Sequence, residues 1–216
     1  KNHTTFRAGG AARLFVTPED EDALVRLEKT CQSAGVSYTV VGNGSNLLVA
    51  DHGYEGFVLK ACGLDQVREV NRRLRAESGI TLARLANAAL GRGLTGLEFA
   101  HGIPGTLGGA VVMNAGAYGG EMKDRLLWVE YLAPTGEIVR LEQEQLSLSY
   151  RHSRFMEEGM QGSCIVRAAF GLQRGEKAAI QSEMDRILNQ RRQKQPLEYP
   201  SAGSTFKRPQ GAFAAQ

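Results

Sequence analysis

The residues of this 216-residue sequence best suited to chemistry are two glycine-rich stretches that present backbone more than side chains. The first is Val41-Gly42-Asn43-Gly44-Ser45-Asn46-Leu47-Leu48-Val49. Glycines at alternate positions let successive N–H groups turn to one side, and Ser45 and Asn46 add neutral donors. Such a nest suits a pyrophosphate, which backbone donors can approach closely. No helix is expected directly after it, unlike the dinucleotide-binding G-x-G-x-x-G, and it lacks the GK[ST] ending of a Walker A loop. A plain turn built on Asn-Gly is the alternative.

The second stretch, His101-Gly102-Ile103-Pro104-Gly105-Thr106-Leu107-Gly108-Gly109-Ala110, runs on to Asn114, Gly116, Ala117 and Glu121. Glycines beside Pro104 and Ala110 imply close approach by a flat group or another backbone, with tight helix–strand packing as the alternative. Ten glycines fall between Gly91 and Gly120, interleaved with Ile103, Leu107, Val111 and Met113. Glycine makes up about 12% of the chain, against a usual ~7%. Two such stretches in one chain favour a flat, phosphate-bearing ligand.

Metal chemistry has no footing here. Cys31, Cys62 and Cys164 form no C-x-x-C pair, four histidines show no ligand spacing, and buried or half-buried free thiols are expected. A net charge of +3, with the basic residues dispersed, is no footprint of a nucleic-acid binder. No apolar run approaches the roughly 20 residues needed to span a bilayer. The first residues, KNHTTFRAGG, lack the layout of a secretion signal. A cytoplasmic monomer, off the membrane, is the expectation.

The elements that must position these loops are mixed. Arg13–Val16 reads as a strand, and Thr17-Pro18 as the start of a helix whose apolar positions are Ala23, Leu24, Leu27 and Cys31. Gly35 stops that helix, Val36–Val41 is a strand ending in the first loop, and Leu47–Ala50 and Phe57–Lys60 are short apolar runs. A helix is predicted from about Thr81 to Leu90, strands at Leu126–Ala133 and Glu137–Leu141 around the turn Pro134-Thr135-Gly136, and a strand near Cys164–Phe170. A last helix runs from Glu176 to about Gln193. The order implies an α+β fold without repeats, with a boundary near Gly171–Gly175 and an unfinished apolar segment at Phe213-Ala214-Ala215.

The strings GNGSNLLV, GIPGTLGGAVVMNAGAYGGE, SYRHSRF and AGSTFKRP, in this order, resemble the UDP-N-acetylenolpyruvoylglucosamine reductases over nearly the whole chain, from about Thr4 to Gln216. The resemblance implies an FAD-binding fold of the vanillyl-alcohol-oxidase/p-cresol-methylhydroxylase type at residues 1–172, in two α+β subdomains of about 1–50 and 51–172. It implies the start of a C-terminal substrate-binding domain at 173–216. The short connection between Arg151 and Cys164 is similar to the subclass without an extra tyrosine-bearing loop. A catalytic glutamate in the family pattern would follow Gln216, so a truncated chain is expected, and no glutamate here is its match.

The implied activity is reduction of UDP-N-acetylglucosamine enolpyruvate by NADPH through FAD. The resemblance assigns Gly42, Asn43, Gly44, Ser45, Asn46 and Leu47 to the FAD pyrophosphate. It assigns Gly102, Ile103, Pro104, Gly105, Thr106, Gly108, Gly109, Asn114, Gly116 and Ala117 to the pyrophosphate and flavin side, with Ile165 beside the cofactor. Arg151 matches an arginine that would stabilise an enolate, since its planar, permanently charged fork suits that oxygen. Ser204 matches the proton donor. Tyr150, Lys194, Lys207 and Arg208 are the substrate candidates. A flavin- or nucleotide-binding member of the fold without turnover is the alternative function, and an oxidase passing electrons to oxygen a third.

Overall fold

The computed structural model describes residues 1–71, 73–195, 197–201, 206, 207 and 209. Strand β1 (Ala12–Val16) leads to helix α1 (Glu21–Ser33), then β2 (Tyr38–Val41) and β3 (Tyr54–Lys60). β3 arrives last and takes the centre, pairing in parallel with β1 on one side and β2 on the other. Helix α1 begins later than Thr17-Pro18 suggested. Its N-cap is Asp20, which accepts from the Ala23 N–H at 2.7 Å and places Glu21 and Asp22 in a first turn that favours acidic groups. Leu47–Ala50 is not a strand.

The hairpin β4 (Val67–Val70) and β5 (Arg73–Glu77) follows, then helix α2 (Leu82–Gly91), capped by the Thr81 hydroxyl. After β6 (Leu94–Thr95) comes a helix the sequence reading missed, α3 (Leu107–Val112), inside the second glycine stretch. The small hairpin β7 (Gly116–Ala117) and β8 (Gly120–Glu121) leads to β9 (Leu126–Leu132) and β10 (Ile138–Glu142), then β11 (Cys164–Gly171), β12 (Gln173–Arg174) and helix α4 (Lys177–Lys194).

The larger sheet is antiparallel throughout, in the order β10-β9-β11-β5-β4. One face of it carries Leu74, Ala76, Val129, Ala168 and Phe170, which bury against Leu82, Leu85 and Ala89 of α2 and Leu107 and Val111 of α3. This packing is what fixes α3, and with it the second loop. A second core joins the two sheets: Leu24 of α1 and Leu59 of β3 pack on Leu132, Cys164 and Val166.

The division expected near residue 50 does not follow the sheets, because β3 is the central strand of the N-terminal one. The segment after residue 172 also stays with the main body over its described part. β12 pairs with β6, and Ile180 and Met184 of α4 pack on Ala86 of α2. Cys31 and Cys164 are buried and Cys62 half-buried, all with free thiols, as expected.

Candidate functional site

The two glycine loops lie against each other. A Cβ on Gly42 would stand 2.0 Å from the Thr106 Oγ1, and one on Gly105 would stand 3.0 Å from the Ser45 Oγ. Glycine at 42 is therefore a condition of the loops meeting, and at Gly105 the φ of +148° is a further reason for it. Gly44 (φ +64°) turns the first loop back on the N-terminal segment, where its carbonyl accepts from the Thr5 N–H at 3.1 Å.

What this leaves unpaired matters most. The N–H groups of Asn43, Gly44, Ser45, Asn46 and Leu47 have no hydrogen-bond partner among the described residues. A run of unpartnered backbone donors after a strand is the donor set an anion such as a pyrophosphate needs. In the second loop, Leu107 N–H and Gly108 N–H donate to the carbonyls of Ile80 and Ser78, which pins the start of α3. Gly109 is different. A side chain there would meet nothing among the described residues within 4 Å, so no contact with them demands glycine and the surface above it is open to them.

Arg151 comes to the far end of α3. Its Nη2 donates to the Gly116 carbonyl at 2.9 Å and its Nη1 to that of Asn114 at 3.4 Å. Its guanidinium carbon lies 5.2 Å from the Tyr150 ring centre. Two of its five N–H groups are committed in this way, and the half-buried fork is held rigidly against the β7–β8 hairpin. That hairpin turns through Tyr118 and Gly119, both at positive φ, the form that suits a two-residue connection. Gly116 permits its tightness, since a Cβ there would stand 2.6 Å from the Glu121 side chain.

Some assignments change. Asn114 is 0% exposed, and its side chain is fully occupied within the protein: the amide donates to Glu121 and Ser149, and the oxygen accepts from the Lys123 N–H. It is a brace, with no donor left for a cofactor. Ile165, at 5% exposure, points into the main core on β11 and offers no side-chain contact either. Ile103 is half-buried against that core, Pro104 is exposed, and Ala117 lies in the β7–β8 hairpin.

Ser204 and Arg208 lie outside the described residues. Ser201 precedes that stretch and is tied to the site: its N–H donates to the Thr5 carbonyl, and the Thr5 hydroxyl donates back at 3.2 Å. Thr5 thus links Ser201 to the first loop. Lys207 and Lys194 are exposed.

Three further groups stand beside the loops. Arg191, half-buried on α4, places its Cδ 3.4 Å from a Cβ on Gly102 and has no acidic partner among the described residues. Burial lowers its proton affinity, and the Tyr118 phenol is near enough to oppose that. His101 Nδ1, at the start of the second loop, and Ser78 Oγ beside it are buried with no hydrogen-bond partner among the described residues. In the sequence the basic run Arg191-Arg192-Gln193-Lys194 reads equally as a solvated helix end or a substrate contact; the packing on Gly102 distinguishes Arg191 within it.

The fold and these loops define an FAD-binding domain. Residues 12–142 match the FAD binding domain family model, and the donor set above fits the cofactor's phosphates. The chain belongs to the UDP-N-acetylenolpyruvoylglucosamine reductase family. It is 46% identical over 216 residues to the reductase of Clostridium novyi (strain NT), covering all of this chain and 69% of that protein. It is 44% identical to that of Caldanaerobacter subterraneus subsp. tengcongensis, covering 70% of it. The crystal structure of UDP-N-acetylenolpyruvylglucosamine reductase from Thermus caldophilus superposes with a TM-score of 0.82 at 34% identity, covering 99% of this chain and 74% of that one. Alkyldihydroxyacetonephosphate synthase shares the fold alone, with a TM-score of 0.55 at 17% identity over 74% of this chain and 34% of that one. No helix among the described residues is long and apolar enough to cross a membrane.

Proposed function

We propose that the chain reduces the enolpyruvyl group of UDP-N-acetylglucosamine enolpyruvate with NADPH, giving the UDP-N-acetylmuramate of peptidoglycan synthesis. FAD, when bound, supplies the hydride chemistry between NADPH and the substrate's β-carbon. The N–H groups of Asn43 to Leu47, with the Ser45 and Asn46 side chains, would hold its pyrophosphate, and the open strip at Gly109 would border its ring system.

Arg151 acts on charge. Hydride arrival at the β-carbon leaves negative charge on an enolate oxygen, and a fixed guanidinium stabilises it without having to reorganise. Its two carbonyl contacts keep the fork from rotating, so its remaining N–H groups keep one direction. Ser204 would give the proton to the α-carbon, a role that needs a neighbouring cation to stabilise the alkoxide; Lys207 is the nearest candidate in sequence. Arg191 and Lys194 at the basic end of α4 would meet the nucleotide's phosphates, with Tyr150 and Arg208 completing the substrate side.

The observation that supports this reading most is the meeting of the two glycine loops beside a row of N–H groups that have no partner among the described residues. The test is FAD titration of the flavin-free protein, followed by NADPH consumption with and without the enolpyruvyl substrate. FAD uptake with substrate-dependent consumption is expected. Uptake without such consumption would favour a flavin-binding module without turnover, and failure to take up FAD would overturn both readings.

A further inference from the structure

We propose that Asn114 and Glu121 are positioning residues for the Arg151 guanidinium, clamping the turn that carries it to the β7–β8 hairpin. The inference rests on the role given to Arg151 above.

The contacts form a closed ring. The Asn114 amide donates to the Ser149 carbonyl at 2.9 Å, and two residues further on Arg151 donates back to the carbonyls of Asn114 and Gly116. The second amide N–H of Asn114 goes to Glu121 Oε2 at 2.9 Å, and its Oδ1 accepts from the Lys123 N–H at 3.0 Å. Glu121 is itself fixed. The same oxygen takes the Lys123 ammonium at 3.1 Å, and its side chain and that of Asp124 cap each other's backbone. Every hydrogen of the Asn114 amide therefore has a fixed destination.

The turn needs such a hold. Arg151 sits at φ +55° and Asn114 at φ +38°, conformations that residues with side chains seldom adopt unless the surroundings impose them. Within the turn itself the backbone closes through the paired bonds of Ser149 and His152, each 3.2 Å, and at that length they hold it weakly. Downstream, the buried Ser153 hydroxyl donates to the Val112 carbonyl at 2.7 Å, so the turn is anchored to α3 on that side as well. Asn114 is an anchor on the Ser149 side. Remove its amide, and the guanidinium keeps its charge but loses its direction.

The test uses the FAD-loaded enzyme and follows its two half-reactions separately by flavin absorbance. A displacement on the scale of 1 Å can cost on the order of 10²-fold, so Asn114→Ala should slow substrate-dependent flavin reoxidation by about 10- to 100-fold while leaving reduction by NADPH within about twofold. Amide hydrogen exchange should quicken across residues 149–152 and stay unchanged in the central sheet. Asn114→Asp, isosteric but unable to donate, carries the same expectation if the alanine variant folds poorly. Glu121→Gln keeps an acceptor for Asn114 and should show a smaller loss than Glu121→Ala.

Coupling decides the matter. Combined with Arg151→Lys, Asn114→Ala should add little further slowing, because both act through one group. Additive losses, or equal slowing of both half-reactions, would overturn the proposal alone. Normal reoxidation in Arg151→Lys would overturn the role of Arg151, and the proposal with it.

Discussion

Replacing Glu28 with glutamine should stabilise the protein at neutral pH, and the gain should fade in acid. Glu28 lies on α1 at 0% exposure, and among the described residues its carboxylate meets no donor stronger than the weak Cys164 thiol. The groups that face it are Cys31 on its own helix, Cys164 on β11 and Tyr38 on β2, none of them a cation. Burial raises its pKa from 4.5 to about 7, outweighing the opposing effect of the Cys164 thiol. The folded chain therefore holds this proton more tightly than the unfolded chain, and stability falls as pH rises from about 4.5 to about 7, then levels off.

At roughly 1.36 kcal/mol per pKa unit, the penalty above neutrality comes to about 3 kcal/mol. An amide of the same shape carries no charge to desolvate, though its own N–H groups need partners and return part of the gain. Urea unfolding of both proteins at several pH values between 5 and 8 reads the difference directly. The wild-type free energy should decline over this window and that of Glu28→Gln should not, so the gap widens toward pH 8. Parallel curves would refute the reasoning, because Glu28 would then ionise alike in the folded and unfolded chains.

Two further substitutions probe the site. Gly42→Ala puts a methyl 2.0 Å from the Thr106 Oγ1; FAD affinity should fall at least about tenfold, equivalent to ~1.4 kcal/mol, and Thr106→Ala should recover part of it. Equilibrium dialysis checks both. Arg191→Gln should weaken one phosphate-bearing ligand by roughly 10- to 100-fold, the usual worth of a charge-assisted hydrogen bond. Separate titrations with FAD, NADPH and the UDP-linked substrate identify which ligand; unchanged affinity for all three would remove Arg191 from the site.

The glycine loops were legible because at Gly42, Gly44 and Gly105 close approach or positive φ calls for glycine, and the order of the motifs pointed to the family now shown. Helices α1, α2 and α4 and strands β9 to β11 followed from apolar spacing. Strand β5 did not, since three of its five residues are charged: it buries Leu74 and Ala76 on one face, while on the other Arg75 pairs with Glu130. Glu130 also meets Arg140 and Arg167, so that face reads as solvent although it is an ion-pair lattice over Trp128. Helix α3 was hidden by Gly108 and Gly109, poor helix formers that tertiary packing overrides. Glu28 stands in phase with Leu24 and Cys31, yet its charge argued for the surface. Asn114 looked like a ligand because nothing in a linear string reveals that its partners stand seven and thirty-five residues away.

The tie from Gly44 through Thr5 to Ser201 has a consequence for biosynthesis. Residues 1–60 hold all three strands of the parallel sheet, so their pairing can begin while the rest of the polypeptide is still on the ribosome, although the core beneath it waits for Leu132, Cys164 and Val166. Its donor row must then wait for Thr106 to arrive, and the clasp at Thr5 closes only when Ser201 emerges. A nascent chain released early would carry the first lip of the cradle without the second, leaving the dinucleotide nothing to be gripped between.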